Sequence, residues 1–175
     1  MNLEYALVGD MSWQSQADWQ TPDTPFMSFA FWQALSDTGA IGEKAGWLPI
    51  YIVVYDGDKH RPVAVMPVFV KGHHQGEFVF DYSWAQAYAH YGLDYYPRLV
   101  TSVPYTPITG QRLWLAANQS LTPEIIQTAI KGVDDVAQQV GSFAHAGGVD
   151  PLEDRPDSGL LRAQHELAVD EGGDS

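Results

Sequence analysis

The sequence predicts one α/β (α+β) domain in which helices flank a sheet. The length of 175 residues lies within the range of a single domain, which is about 100–200 residues. Hydrophobic residues make up 45% of the chain and aromatic residues 13%, which is enough to form a core. Runs rich in β-branched and aromatic residues also alternate with stretches whose apolar residues recur at helical spacing. These three observations predict a globular fold containing both strands and helices.

The first predicted helix follows a capping signal. Asp23 or Thr24 can cap it, and Pro25 suits the first turn. Glycines after residue 38 then interrupt the pattern and end the helix. The apolar positions at helical spacing are Phe26, Phe29, Ala30 and Leu35.

A β-hairpin is predicted next. Residues 49–55 and 63–70 form two β-branched and aromatic runs, and the polar, Gly-containing segment 56–59 separates them. Pro62 and Pro67 lack the N–H group that a strand donates to its neighbour. The second strand is therefore expected at a sheet edge or at a bulge.

Shorter elements follow the hairpin. Residues 77–80 are expected to form a strand, and residues 82–91 a short helix that ends at Gly92. Residues 99–103 and 111–115 are further expected strands, joined by a loop rich in proline and threonine.

The longest predicted helix starts at Ser120 or Thr122 and continues to Val140. Pro123 and Glu124 fit its first turn. Its apolar stripe must pack on the sheet, so we expect this helix to be ordered. The stripe consists of Ile125, Ile126, Ala129, Val133, Val136, Ala137 and Val140.

Composition divides the chain into three parts. Residues 1–24 are interpreted as a lead-in, residues 25–141 as the folded module, and residues 142–175 as an acidic, flexible tail. The end of the chain has dense carboxylates and few apolar residues, so little offsets the entropy cost of ordering it. We expect deletion of residues 150–175 to leave the melting temperature almost unchanged.

Charge and composition exclude several functional classes. The formal net charge is −13, and only nine Lys and Arg residues are available to neutralise phosphates. Binding to nucleic acid or to an anionic membrane surface is therefore not expected. The first residues lack a signal-peptide pattern, and no apolar run reaches the length of a membrane-spanning helix. A cytoplasmic location is expected.

A metal site is not predicted. The chain has no Cys, and the adjacent His73 and His74 would point to opposite sides of an extended segment. No third ligand has suitable spacing. Nucleophile-elbow and phosphate-loop motifs are also absent from the sequence.

The densest chemical signal lies between residues 81 and 98. One carboxylate and one guanidinium stand among aromatic residues here, which could line a pocket that recognises an amide or an amine. The alternative is that the rings belong to the core and the charges cap turns. Thr106, between two prolines, could face a ligand or bond its own turn. The residues of the dense segment are Asp81, Trp84, Tyr88, Tyr95, Tyr96 and Arg98.

Several consecutive segments resemble one protein family. They lie in order between residues 25 and 140, and together they are more specific than any single motif. The chain is similar in these segments to the opening part of the FemAB-like predicted N-acyltransferases. The segments are PFMSFAFWQAL (25–35), AVMPVFVK (64–71), GEFVFDYSWAQAY (76–88), GLDYYPRL (92–99) and PYTPITG (104–110).

The resemblance implies a GNAT-type fold, a mixed sheet flanked by helices, of which this chain would hold only the amino-terminal module. It also implies transfer of an acyl or aminoacyl group to a small-molecule or peptide amine, with a link to peptidoglycan. The donor is left open between acyl-CoA and an aminoacyl compound; no Gln/Arg-x-x-Gly-x-Gly/Ala turn for coenzyme A occurs in the sequence. No metal is implied.

Site roles are assigned within this resemblance. Asp81 is the candidate for orienting the amine or accepting its proton. The substrate-binding candidates are Trp84, Tyr88, Tyr95, Tyr96 and Thr106. The module is expected to be inactive alone. The alternative hypothesis is a non-catalytic binding module or a truncated remnant, which could self-associate through uncovered surface.

Overall fold

The structure of the chain is a computed structural model that describes residues 2–57, 60–73, 75 and 81–145. Within these ranges a sheet of five strands is combined with three α-helices and three short 3₁₀ turns. The strands are β1 (Leu3–Val8), β2 (Trp47–Asp56), β3 (Arg61–Lys71), β4 (Arg98–Val100) and β5 (Trp114–Leu115). The α-helices are α1 (Phe29–Asp37), α2 (Tyr82–His90) and α3 (Pro123–His145). The predicted α+β class is confirmed.

The sheet is built around the predicted hairpin of β2 and β3. The strand order is β1-β2-β3-β4, and β5 pairs with β3 beside β4. Every pairing between these strands is antiparallel. Gly57 lies in the hairpin turn, while residues 58 and 59 lie outside the described residues.

The two prolines of β3 do not place it at the edge of the sheet, so that prediction is wrong. β3 pairs with β2 on one side and with β4 and β5 on the other. The alternative of a bulge is confirmed, because the register with β2 shifts opposite Pro62. Pro67 lies between Val65, the last residue paired with β5, and Phe69, the first paired with β4. Pro67 pairs with Tyr51 of β2, but neither β4 nor β5 pairs with it on the other side, so the interior strand tolerates a residue without an N–H there.

Aromatic residues fill one face of the sheet. Side chains alternate between the faces of a strand, and this alternation brings every second residue of β2 and β3 to the aromatic side. The rings of Trp32 and Phe69 stack at 5.6 Å, and Trp13 is fully buried beside them. Burial of each such side chain contributes about 1.5–3 kcal/mol. The largest members of this aromatic core are Trp13, Trp32, Trp47, Tyr51, Phe69 and Trp114.

The stretch 1–24 contributes to the sheet and to this core. β1 pairs with β2 along its whole length, and Trp13 lies in a 3₁₀ turn that packs on the sheet. The sequence analysis did not identify β1, because LEYALV lacks the β-branched density that marks the central strands.

The opposite face of the sheet is covered by α3, which starts where predicted. Thr122 Oγ1 accepts a hydrogen bond from the N–H of Ile125 at 3.4 Å. Ile125, Ala129, Val136 and Val140 are buried as expected, but Ile126 and Ala137 are exposed, which corrects the predicted stripe. The buried strip is narrower than predicted, because a helix lying on a flat sheet buries one line of residues and leaves its flanks open.

A capped 3₁₀ turn precedes α1, which has an N-cap of its own. Thr24 accepts from the N–H of Phe26, and Ser28 then accepts from the N–H of Phe31. Phe26 is exposed rather than part of the buried stripe, and Trp32 is the fully buried residue of α1. Thr24 is thus a cap as predicted, but of the 3₁₀ turn Pro25–Met27; the N-cap of α1 itself is Ser28, which the sequence analysis did not name. The buried face of α1 is turned away from Phe26.

The later elements match in type and differ in length. α2 agrees with the predicted short helix, whereas β4 and β5 are shorter than the strands expected over 99–103 and 111–115. The expected strand at 77–80 lies outside the described residues, as does the chain from residue 146 onward. Within the described ranges, no helix is both long and apolar enough to cross a bilayer.

Candidate active site

Three strands bring their end residues together at one end of the sheet. Trp47 starts β2, Lys71 ends β3 and Arg98 starts β4, and Lys71 is the direct register partner of the other two. Directly paired residues of antiparallel strands project from the same face. Tyr51 of β2 and Phe69 of β3 lie on this same face, a short distance along their strands. The three side chains therefore continue the aromatic core to the end of the sheet.

Asp81 joins this row from outside the sheet. It immediately precedes α2, and its Oδ2 lies 3.0 Å from Arg98 Nη1 and 3.9 Å from Lys71 Nζ. The Lys71 side chain is fully buried, and only 8% of the Asp81 side-chain surface is exposed. Little water therefore screens the contact of Asp81 with Lys71, whereas Arg98, whose side chain is 40% exposed, faces solvent. We call Lys71, Asp81 and Arg98 the charged cluster.

Aromatic rings enclose the charged cluster. Lys71 Nζ lies 5.4 Å from the centre of the Trp47 ring and 5.6 Å from that of Tyr96. The Arg98 guanidinium carbon lies 4.5 Å above the Tyr95 ring, and Nη1 also donates to the Tyr95 hydroxyl. Such cation–ring contacts hold the charged groups in fixed positions.

The ring of Tyr88 connects α2 to the cluster. Its centre lies 5.0 Å from that of Tyr95, which in turn lies 5.0 Å from Tyr96. The structure thus brings Asp81, Tyr88, Tyr95 and Tyr96 together, as a common pocket would require.

The exposed aromatic residues of α2 exclude the interpretation that all rings of this segment are core. Trp84 is 64% exposed and Tyr88 41% exposed, and no residue of α2 is buried. Asp81 occupies the N-cap position of α2, but its side chain makes no capping hydrogen bond. Its carboxylate is directed to the cations instead.

Thr106 lies in a separate turn. Its Oγ1 accepts a hydrogen bond from the N–H of Ile108 at 3.3 Å, which is the local alternative that the sequence left open. The same loop adjoins the cluster through Tyr105, whose ring centre is 5.2 Å from that of Trp47. Burial raises the pKa of the Tyr105 hydroxyl.

Among the residues that the structure describes, no group of three or more His, Asp or Glu side chains is arranged to hold a metal ion. His73 lies against Gly46, and its Nδ1 accepts a hydrogen bond from the N–H of Gln75 at 3.2 Å. His74 lies outside the described residues.

The sequence analysis did not name Lys71 or Trp47 among the site residues, although Lys71 ends one of the segments that carry the family resemblance. It placed Arg98 in the same aromatic segment as Asp81 but gave it no site role. Lys71 follows nine consecutive apolar residues of β3, which was an available signal, since a buried lysine requires a partner. Trp47 offered no comparable signal, because its place depends on the register of β2 with β3.

A comparison with protein families matches residues 6–148 to a family described as peptidoglycan biosynthesis/recognition, the FemAB-like family. The chain belongs to the FemAB-like family. The match contains the whole charged cluster and its aromatic surroundings, and it begins within β1. No curated protein and no solved structure matches this FemAB-like chain significantly.

Proposed function

We propose that this FemAB-like chain binds an amine acceptor for acyl or aminoacyl transfer to a peptidoglycan-linked substrate. The observation that carries the proposal is the second oxygen of Asp81. Asp81 Oδ2 serves Arg98 and Lys71, while Oδ1 is buried and accepts no hydrogen bond from any described residue. A buried carboxylate oxygen without a donor is costly, and a ligand N–H would satisfy it.

The chemistry needs an amine that is held in place and then deprotonated. The amine nitrogen attacks the carbonyl carbon of the donor, a C–N bond forms, and the donor's leaving group departs with its electron pair. An acceptor bound as an ammonium group first loses one proton, which exposes the nitrogen lone pair, and the nitrogen loses a second proton to a base as the C–N bond forms. Asp81 Oδ1 would orient the amine by accepting one of its N–H bonds, and the donor is either an acyl-CoA or an aminoacyl compound.

The aromatic residues would bind the rest of the acceptor. Tyr88, whose ring contacts Tyr95, and Trp84, in the first turn of α2, offer exposed ring surface. Aromatic surface beside a few polar groups is the usual composition of a ligand site. Thr106 belongs to the loop that reaches Trp47 through Tyr105 and would contribute at the rim.

The proposal is tested by binding a muropeptide whose side-chain amine is free and the same muropeptide after N-acetylation. We expect the chain to bind the free amine at least about tenfold more tightly, because an acetylated nitrogen lacks the charge that a carboxylate recognises. Asp81→Asn should abolish this preference. The matched control is Asp94→Asn, which makes the same change at an exposed aspartate in the same segment and should keep the preference for the free amine. Equal binding of both muropeptides by the unaltered chain would refute the proposal.

A second candidate function, recognition without catalysis, is favoured by the exposure of Trp84 and Tyr88. In this case the chain would hold peptidoglycan fragments on the aromatic surface of α2. Mass spectrometry of the muropeptide after incubation with labelled donors separates the two functions, since only a transferase adds the label to the amine. Trp84→Ala should weaken muropeptide binding in either case, whereas Phe26→Ala removes an exposed ring remote from the site and should not.

A further inference from the structure

Besides Asp81 Oδ1, the charged cluster offers a ligand the hydrogen-bond donors of Arg98. An arginine carries five N–H donors, two of them on each terminal nitrogen and one on Nε. Arg98 Nη1 donates to Asp81 Oδ2 and to the Tyr95 hydroxyl. Within the described part of the chain, Nη2 and Nε of Arg98 donate to no group. Since 40% of the Arg98 side-chain surface is exposed, a ligand can reach these donors from solvent.

The charge of Arg98 favours an anionic group on the ligand. Its side chain is partly exposed, and it shares Asp81 Oδ2 with the buried Lys71 Nζ. An ammonium group at Asp81 Oδ1 would bring a further positive charge next to these two cations. A carboxylate on the same ligand offsets that charge.

The geometry also favours a carboxylate. The Nε and Nη2 hydrogens of a guanidinium form a planar fork that matches the two oxygens of a carboxylate. The Tyr95 ring, 4.5 Å below the Arg98 guanidinium carbon, and the Asp81 contact hold the plane of this fork in place before a ligand arrives. A preorganised fork loses less freedom when it binds.

We infer that the site recognises an α-amino acid end, in which one carbon carries both an ammonium and a carboxylate group. Asp81 Oδ1 receives the ammonium group and the Arg98 fork receives the carboxylate. The two subsites adjoin, because Asp81 and Arg98 are themselves joined by a 3.0 Å contact. The amine half of this inference rests on the proposed function, and the carboxylate half goes beyond it.

The test compares alanine with alaninamide, which differ only in the carboxylate. Binding to the whole chain is followed by NMR shifts of the Trp47 indole N–H, up to about 100 mM ligand, since small ligands bind weakly. We expect alanine to bind at least about tenfold more tightly than alaninamide, because only its carboxylate can pair with the fork. Equal binding of the two, or no binding of alanine, would overturn the inference.

Arg98→Lys retains the positive charge and removes the fork, and it should bring the two affinities to within about twofold of one another. Arg61→Lys lies at the opposite end of β3 and is the matched control, which should keep the discrimination. The comparison of ligands on the unaltered chain decides the question even where the Arg98 variant does not fold. If the chain prefers the free amine over the acetylated amine but binds alanine and alaninamide equally, the proposed function is retained and this inference alone is rejected.

Discussion

At the scale of single residues, Asp81 differs from Lys71 and Arg98 in the number of ion pairs that it makes within the charged cluster. Its Oδ2 is shared by Lys71 and Arg98, whereas each cation has one carboxylate partner within the charged cluster. Removal of either cation leaves an ion pair in place. Removal of the carboxylate charge leaves the cluster with its two cations, one of them fully buried, and takes away the anion that they share.

This asymmetry predicts unequal losses of stability. Asp81→Asn should lower the free energy of unfolding by about 3 kcal/mol, the range for breaking a buried ion pair from one side. Lys71→Met should cost less, about 1 kcal/mol, because the apolar stem is replaced and the closer Asp81–Arg98 pair survives. Urea unfolding followed by tryptophan fluorescence measures both values.

The double variant Asp81→Asn with Lys71→Met gives the control. It removes one cation together with the anion, so it should be less destabilised than the sum of the single changes. A larger loss for Lys71→Met than for Asp81→Asn would contradict the shared-anion interpretation.

At the scale of elements, the contact of α3 with the sheet depends on Gly132. A Cβ atom at this position would lie 2.4 Å from Ile52 Cγ2 and 3.2 Å from Tyr5 Cδ2. Both partners belong to strands of the sheet, and Ile52 is fully buried, so neither can move aside freely. The absent side chain of Gly132 lets the helix backbone approach β1 and β2 closely.

We therefore predict that Gly132→Ala destabilises the fold by about 1–3 kcal/mol, since overpacking outweighs the gain in helix propensity. Gly141→Ala in the same helix is the control, because a Cβ there meets no atom within 4 Å. That substitution should be neutral or stabilise by up to about 1 kcal/mol. Unfolding midpoints in urea measure both, and stabilisation by Gly132→Ala would show that the helix can shift away from the sheet.

At the scale of the whole molecule, the aromatic core couples stability to alkaline pH. Burial raises the pKa of the Tyr51 hydroxyl well above its ordinary value near 10, and the charge of Asp10 adds to this. Below pH 10 the hydroxyl is neutral in the folded and unfolded chains, so its contribution to stability is complete. Above pH 10 the Tyr51 hydroxyl ionises only in the unfolded chain, so the free energy of unfolding falls as the pH rises towards the folded-state pKa.

The size of this effect can be predicted. At pH 11 the unfolded chain gains about 1.4 kcal/mol from ionisation of Tyr51, for a difference of one unit from its free pKa. Between pH 9 and pH 11, the free energy of unfolding of Tyr51→Phe should therefore fall by about 1.4 kcal/mol less than that of the unaltered chain. Tyr5 and Tyr105, whose pKa values are also raised, are present in both proteins and cancel in the comparison. An identical pH dependence of the two unfolding free energies would count against the buried, neutral state of Tyr51.

The sequence by itself determined the features that depend on neighbouring residues. The hairpin of β2 and β3 follows from two β-branched runs around a turn, and the Thr24 cap and the start of α3 follow from short capping patterns. The family could be recognised for the same reason, since consecutive segments carry it. The concentration of Asp81, Tyr88, Tyr95 and Tyr96 was also visible, because these residues are close along the chain.

Only the tertiary structure decided the features that depend on pairing between distant segments. β3 is interior because two further strands pair with it, although its prolines suggested an edge. Gly132 rather than Ile126 meets the sheet, because the crossing of α3 over Ile52 fixes which side of the helix is buried. Strand register aligns Trp47 and Arg98 with Lys71, which Asp81 then contacts, and no local pattern encodes a register between strands.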